Sequence, residues 1–300
     1  MKPFLIKTLV FITFLVVYKT LLLLVNVTTF STIGLNNYYG KRSEKPKLIL
    51  VGGSNLDYNY DYSFLNNEIT QYDVVGCNLN EPSGLFATVT KLQRLKLSSS
   101  DLVVFCFPHS FYESKKFLPI RSYKKVGFSL GTIANSAKYF PVETFSAIFI
   151  DNKVEDIFEI YSEKTFPIDK DVKPIRFRRI NNKENDSHYS NCTEPLKKGP
   201  FLIKSYGFEK TYIERVLSYF ENELPCQFVF RFPPVLTDEY EINSERLVFL
   251  SDKLKFINTF ESAVYRYDDF HNQTYHLNRC GRDLCTENLV LELRRSGCLK

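Results

Sequence analysis

The sequence predicts an α/β fold with a doubly wound, mostly parallel sheet, preceded by an N-terminal transmembrane helix. Between residues 47 and 107, apolar runs of strand length alternate with stretches of helical period. This alternation is typical of parallel sheets. The first apolar run ends at two glycines, which permit a sharp turn at the end of a strand. The membrane helix is predicted from an almost continuously apolar N-terminus.

The apolar N-terminal run covers residues 4–25. About 20 apolar residues are enough to cross a bilayer. Lys2 and Lys7 stand at its start, and no Lys or Arg follows it until Lys41. This asymmetry orients the N-terminus towards the cytoplasm. We therefore expect a single-pass anchor over residues 1–25 with the domain on the extracytoplasmic side, and a cleaved signal peptide is the alternative.

A polar linker is expected over residues 26–46, followed by one α/β domain over residues 47–300. The expected strands are Leu48–Val51, Tyr72–Cys77, Asp101–Phe107, a run from Gln227 to the prolines at 233 and 234, and Val264–Tyr267. The expected helices are Asp61–Ile69, one bearing Leu85 to Leu95 on its apolar face, one bearing Phe208 to Phe220, Ile242–Leu254 and Arg282–Arg295. A turn rich in Tyr and Asn is expected over Asp57–Tyr60. A strand over Ser146–Asp151 and a short helix over Lys153–Tyr161 are weaker expectations.

Residues 164–200 are charged and show little periodicity, so we expect an irregular basic insertion there. Its cluster of Arg176, Arg178 and Arg179 has two interpretations. It is either part of a solvated segment or a basic lid that contacts an anionic glycan or lipid headgroup. The net charge of +5 is spread along the chain and gives no nucleic-acid footprint, so no nucleic-acid partner is expected.

The seven cysteines have no spacing typical of a zinc site, and no metal is expected. Cys280 and Cys285 form either a local disulfide or two buried thiols on one helix. Three further cysteines lie in or beside apolar strands, where buried thiols are expected. These are Cys77, Cys106 and Cys226.

Ser54 is the candidate nucleophile, because it follows Gly52 and Gly53 at the end of the first strand. Ligands of parallel α/β sheets bind at this edge, and the N–H groups of a following helix can hold a negative oxygen. The structural alternative is a β-turn with a serine N-cap. Nucleotide binding is disfavoured, since the glycines belong to neither a GxGxxG pattern nor a P-loop with its lysine.

His276 is the candidate general base. It precedes the last expected helix, and the topology can bring this loop to the same sheet edge as Ser54. A histidine there can take the proton of the serine while a third group fixes its tautomer. His271 lies earlier in the same loop, but lacks the Leu-Asn and Gly that follow His276.

Three blocks of the chain resemble the SGNH/GDSL-type hydrolases. Gly52–Asn55 with Asp61 in the next helix is similar to the first block of that family, and Tyr275–Gly281 with Thr286 is similar to its closing block. Phe232–Pro234 after the fourth core strand also fits. More narrowly, these blocks are similar to the membrane-anchored envelope branch, which includes proteins resembling the teichoic-acid D-alanyl transfer protein and alginate-type O-acetyltransferases.

The resemblance covers residues 47–107 and 225–294 and implies a flavodoxin-like sheet. It also implies an extracytoplasmic serine esterase or O-acyltransferase that needs no cofactor. Its substrate would be an acyl or acetyl ester of a cell-envelope polysaccharide or related polymer, handled through an acyl-serine intermediate. Ser54 would be the nucleophile and His276 the base.

The chain departs from the family at the group that orients the histidine. Asn272 stands where the family places an aspartate and is the candidate that orients His276, because an amide oxygen can accept the imidazole N–H. Its amide cannot stabilise an imidazolium as a carboxylate does. Asp268 or Asp269 could substitute. The assignment of the oxyanion donors is ambiguous, and the expected set is Gly53, Asn55 and Asn78. The alternative function is a catalytically silent, membrane-anchored protein that binds a glycan or partner in the same cleft.

Overall fold

The structure is a computed structural model that describes residues 2–30, 45–78, 88–89, 92–93, 97–112, 130–146, 209–271 and 275–299. Its helices are α1 (Lys2–Phe30), α2 (Asn55–Asn59), α3 (Tyr62–Glu68), α4 (Leu130–Tyr139), α5 (Pro141–Phe145), α6 (Lys210–Glu223), α7 (Thr237–Lys253) and α8 (Arg279–Arg295). Its strands are β1 (Lys47–Gly52), β2 (Asp73–Asn78), β3 (Leu102–Phe105), β4 (Gln227–Phe230), β5 (Val235–Leu236) and β6 (Val264–Tyr265). Single 3₁₀ turns cover His109–Tyr112, Glu261–Ala263 and Tyr267–Asp269.

Four strands form a parallel sheet in the order β2-β1-β3-β4. The two central strands are buried along their length, which is typical of parallel sheets covered on both faces. Strands β5 and β6 pair in parallel as a separate two-stranded sheet. The α/β class and the mostly parallel sheet predicted from the sequence are confirmed.

The alternating side chains of the sheet divide the core into two layers. Ile49 and Val51 of β1 face the first layer, which holds a group of packed phenylalanines and the apolar side of α6. Leu48 and Leu50 face the second layer, which holds apolar residues of α2, α3 and α8. The second layer therefore brings α2, which follows Ser54, against α8, which follows His276.

Several element boundaries differ from the predicted ones. The first three of the four residues expected as a turn over Asp57–Tyr60 belong to α2 instead. The last helix begins at Arg279 rather than Arg282, because the Asn278 side chain caps it by accepting a hydrogen bond from the Gly281 N–H. Helix α7 begins at Thr237, five residues before the predicted start. The fourth strand ends at Phe230, before the prolines.

The structure agrees only in part with the two segments predicted at the N-terminal end, the membrane helix and the linker. Helix α1 continues to Phe30, through the first residues of the expected linker over 26–46. Among the residues that the structure describes, no helix is both long and apolar enough to cross a membrane. The transmembrane helix over residues 1–25 is not confirmed, and the single-pass topology stays a prediction. The insertion over 164–200, its three arginines, and the elements expected between 147 and 161 lie outside the described residues.

Candidate active site

Ser54 lies on the turn that leads from β1 into α2. A side chain at the preceding Gly52 would be crowded, because a Cβ there would lie 3.0 Å from the Cys106 carbonyl oxygen and 3.0 Å from the Leu56 side chain. Gly53 and Asn55 on either side of the serine are buried, whereas Ser54 itself is exposed. The turn therefore presents the Ser54 hydroxyl at the carboxyl edge of the sheet, where a substrate can reach it.

The Asn55 side chain fastens this turn from inside. Its Oδ1 accepts a hydrogen bond from the Gly53 N–H at 2.8 Å, and its Nδ2 donates to the Cys106 carbonyl oxygen at 3.0 Å. The side chain is 1 % exposed. These bonds occupy the Gly53 N–H and one of the two N–H groups of Asn55 Nδ2, so use of the Gly53 N–H as an oxyanion donor would require its bond to open. That use stays a prediction.

Asn78, the third predicted oxyanion donor, is the last residue of β2. It is in register with Gly52 at the end of β1. Gly52 precedes Ser54 by two residues. The parallel pairing therefore brings the Asn78 backbone to the same sheet edge as Ser54.

His276 lies within hydrogen-bond reach of the serine. Its Nε2 is 2.9 Å from Ser54 Oγ, across 222 positions of the sequence. His276 is 5 % exposed. Two hydrogen bonds hold the loop around it. The His276 carbonyl accepts from the His271 N–H at 2.8 Å, and the Leu277 N–H donates to the side-chain Oδ1 of Asn59 at 3.1 Å. The geometry is that of a serine paired with a general base.

A tyrosine that the sequence did not single out stacks on this histidine. The rings of Tyr58 and His276 have centroids 4.0 Å apart and planes at 14°. The ring of Tyr58 also lies 6.4 Å from that of His271, at 23°. The only signal in the sequence is its position four residues after Ser54, which becomes meaningful once residues 55–59 are known to be helical.

Burial lowers the pKa of His276 to about 4, with a smaller contribution from the nearby His271. The imidazole is therefore neutral at pH 7 and able to accept a proton at Nε2. Within the described part of the chain, no carboxylate is among the groups that shift this pKa. The environment favours the neutral base and disfavours the imidazolium that proton transfer would create.

Of the predicted orienting groups, the structure describes Asp268 and Asp269. Asn272 lies outside the described residues. The Asp269 carboxylate accepts a hydrogen bond from the Arg266 N–H at 3.0 Å and forms an ion pair with its guanidinium at 3.8 Å. The carbonyl of Asp268 accepts a hydrogen bond from the Asn278 side chain. These bonds close the turn before α8, and the group that orients His276 stays a prediction.

A buried arginine network lies behind the site. Arg231 follows β4 and is 2 % exposed. Its Nε donates to Glu292 at 2.6 Å, and its NH1 group donates to the Tyr60 hydroxyl at 2.8 Å and to the Cys285 sulfur at 3.3 Å. Tyr60 follows α2, while Glu292 and Cys285 belong to α8. Arg231 therefore joins the two elements that carry the serine and the histidine loop.

The structure gives the oxidation state of six cysteines. Four cysteines are buried free thiols and Cys298 is a half-buried one; the four are Cys77, Cys106, Cys226 and Cys285. Cys280 is disulfide-bonded. Both predicted alternatives for Cys280 and Cys285 are therefore wrong: Cys285 is free, which excludes a disulfide between the two, and Cys280 is not a buried thiol. No group of three His, Cys, Asp or Glu side chains suited to a metal occurs among the described residues.

No protein-family model, no curated protein and no solved structure matches this chain. The geometry of the site is therefore the basis for a functional assignment.

Proposed function

We propose that this protein is a serine esterase or O-acyltransferase that acts through an acyl-serine intermediate. The observation that carries the proposal is the 2.9 Å separation of Ser54 Oγ and His276 Nε2. An exposed serine paired with a buried, neutral histidine fits a nucleophile and its general base. The SGNH/GDSL-type resemblance of the blocks around these two residues supports the same chemistry.

The proposed reaction has two proton transfers in each half. His276 Nε2 takes the Ser54 hydroxyl proton as Oγ attacks the ester carbonyl, and the resulting imidazolium gives that proton to the departing alcohol. An acyl-serine remains. In the second half, water or an acceptor hydroxyl gives its proton to His276 and attacks the acyl carbon, and the imidazolium returns a proton to Ser54 Oγ. Water as the acceptor makes the protein a hydrolase, and a polymer hydroxyl makes it a transferase.

The tetrahedral intermediates need hydrogen-bond donors for their oxyanion. Gly53 N–H already donates to Asn55, while the N–H groups of Leu56 and Asp57 donate to the carbonyls of Gly53 and Ser54. Among residues 53–57 this leaves the backbone N–H groups of Ser54 and Asn55, and we assign the first donor to that of Ser54, which carries the attacking oxygen. Asn78, at the neighbouring strand end, is the proposed second donor.

The proposed substrate is an acyl or acetyl ester of a cell-envelope polysaccharide or related polymer, outside the cytoplasm. The disulfide at Cys280 supports an oxidising compartment, where such bonds persist. Exposed apolar side chains along α1, such as Phe4 and Phe14, support anchorage of the N-terminal end at a membrane. Acyl transfer of this kind requires no cofactor.

A second candidate function has one observation in its favour. No carboxylate contributes to the pKa of His276 among the described residues, and this pKa lies near 4. A site that disfavours the imidazolium fits a catalytically silent protein that binds a glycan in the same cleft. Hydrolysis of small acetyl or p-nitrophenyl esters by the wild-type protein, lost in His276→Ala, would exclude this candidate.

The deciding experiment is labelling of the serine by a fluorophosphonate, read by intact-protein mass. We expect one adduct in the wild type, and a loss of at least about 10³-fold in labelling rate and ester turnover in Ser54→Ala, since removing a catalytic serine abolishes the covalent step. Ser262→Ala is the matched control, because Ser262 is an exposed serine that bonds only to the nearby Thr259 in the same turn. Undiminished labelling of Ser54→Ala would refute the proposal.

A further inference from the structure

Tyr58 and Ser54 are placed by the same short helix. Tyr58 follows the serine by four residues, about one helical turn, so both side chains lie on the same side of α2. The Tyr58 ring covers one face of the His276 imidazole at 4.0 Å and 14°. One element therefore carries the nucleophile and also a flat surface against which its base rests.

The stacked Tyr58 ring lies where it can act on the charge and the orientation of the His276 imidazole. A carboxylate orients the imidazole and stabilises the imidazolium that forms during proton transfer. An aromatic ring stacked on the imidazole can contribute to both tasks. An aromatic face is the negative side of the ring quadrupole, and it attracts a cation within about 6 Å, more strongly when water is excluded. His276 is buried, which meets that condition.

We infer that Tyr58 is a positioning residue for His276: its ring fixes the plane of the imidazole and its π face stabilises the imidazolium, an inference that rests on the proposed function. The hydroxyl of Tyr58 is not required for either task. Phe should therefore substitute for it, whereas Leu fills similar space without a π face. The neighbouring His271 works in the opposite direction, because its charge disfavours a second positive charge at His276.

The first test is ester turnover at a fixed pH of 8. We expect Tyr58→Phe to keep kcat within about twofold and Tyr58→Leu to lose about tenfold in kcat at unchanged KM, the size of a desolvated cation–π contact. Phenylalanines carrying one to four ring fluorines at position 58 should lower kcat stepwise, since fluorine weakens the negative face at nearly constant shape. Tyr72→Leu is the control for loss of a half-buried tyrosine away from the site.

Equal turnover of the Phe and Leu variants, or of Phe and its fluorinated forms, would overturn the inference. A purely structural role would give the same loss with every non-aromatic residue but would not follow the fluorine count. The stepwise series is therefore the readout that separates electrostatic support from packing.

The second test does not depend on turnover. Histidine NMR titration in the Ser54→Ala background should show a pKa of His276 about one pH unit lower in Tyr58→Leu than in Tyr58→Phe. A His276 ring that stays neutral in the Leu variant over the pH range in which it titrates in the Phe variant is the same result. A pKa in the Leu variant equal to or above that of the Phe variant contradicts the inference. If the wild type neither turns over esters nor reacts with the fluorophosphonate, the proposed function fails while this titration still decides the role of Tyr58.

Discussion

The two reactive side chains of this site are held in different ways. Ser54 is placed by its own turn, through the close approach of Gly52 to β3 and the bonds that the Asn55 side chain makes to Gly53 and Cys106. His276 is placed by residues of other elements, chiefly Tyr58 and Asn59 of α2. The serine position is thus a property of one strand end, whereas the histidine position depends on how α2 and α8 pack together.

Arg231 links these two sides, and its removal should have the largest effect. Replacing it with Met leaves the Glu292 carboxylate, which is 11 % exposed, without its cation. Breaking a buried ion pair in this way costs about 3–5 kcal/mol. We expect Arg231→Met to lower the free energy of unfolding by that amount in urea titrations, and to reduce fluorophosphonate labelling in the fraction that remains folded.

The matched control for Arg231 is a pair of the same chemistry on the surface. Arg294 and Glu68 lie 3.3 Å apart, with side chains 52 % and 44 % exposed. Exposed pairs contribute about 0–1 kcal/mol, so Arg294→Met should cost no more than that. Similar losses in the two variants would show that Arg231 does not brace the site.

The second prediction concerns the pH dependence of stability that His276 contributes. The folded pKa of His276 is about 4, below its ordinary value of 6.5. Between these values the unfolded chain binds a proton that the folded chain does not, so stability falls as pH falls through this window. We expect His276 to contribute a loss of about 2 kcal/mol between pH 7 and pH 5.

The measurement is the change in unfolding free energy between pH 7 and pH 5 in the wild type, minus the same change in His276→Gln. Subtraction removes the contributions of the other titrating groups. Gln keeps a polar side chain near Ser54 but does not titrate. Parallel pH dependence in the two proteins would mean that His276 is not buried in its neutral form.

The difference between the two sides also explains what the sequence could predict. The Ser54 turn was predicted because its determinants, an apolar run and two glycines, are adjacent in the chain. The α/β class was predicted because the period of each element is local. His276 was found through its place before the last helix, and its closeness to Ser54 followed from the topology of parallel sheets.

The supports of His276 were not predicted, because they depend on tertiary contacts. Residues 57–60 have the composition of a turn, but α2 runs through Asn59. The Asn59 side chain is buried and bonds to the backbone of the histidine loop. Arg231 stands in an apolar run, and its partners Tyr60 and Glu292 are far away in the sequence. No local pattern marks an arginine whose partners come from two other elements.

The smallest predicted effect tests the single amide that anchors the histidine loop. Asn59 is fully buried, and its Oδ1 accepts the Leu277 N–H at 3.1 Å, next to His276. Asn59→Ala leaves that N–H buried without an acceptor, which costs about 1–3 kcal/mol. The same change also removes the buried Asn59 Nδ2 group, which has no partner among the described residues, and this offsets part of the cost. We expect a net loss of about 1 kcal/mol in unfolding free energy.

The same change should affect catalysis more than stability suggests. The Leu277 N–H fixes the backbone beside His276, so its release should lower kcat while the turn at Ser54 keeps its bonds to Asn55. Asn222→Ala is the control, since Asn222 is exposed and bonds only within its own helix, to Ser218; a surface change of this kind stays within about 0.5 kcal/mol. Normal turnover in Asn59→Ala would show that the bond from Leu277 to Asn59 is not needed to hold His276 in place for catalysis.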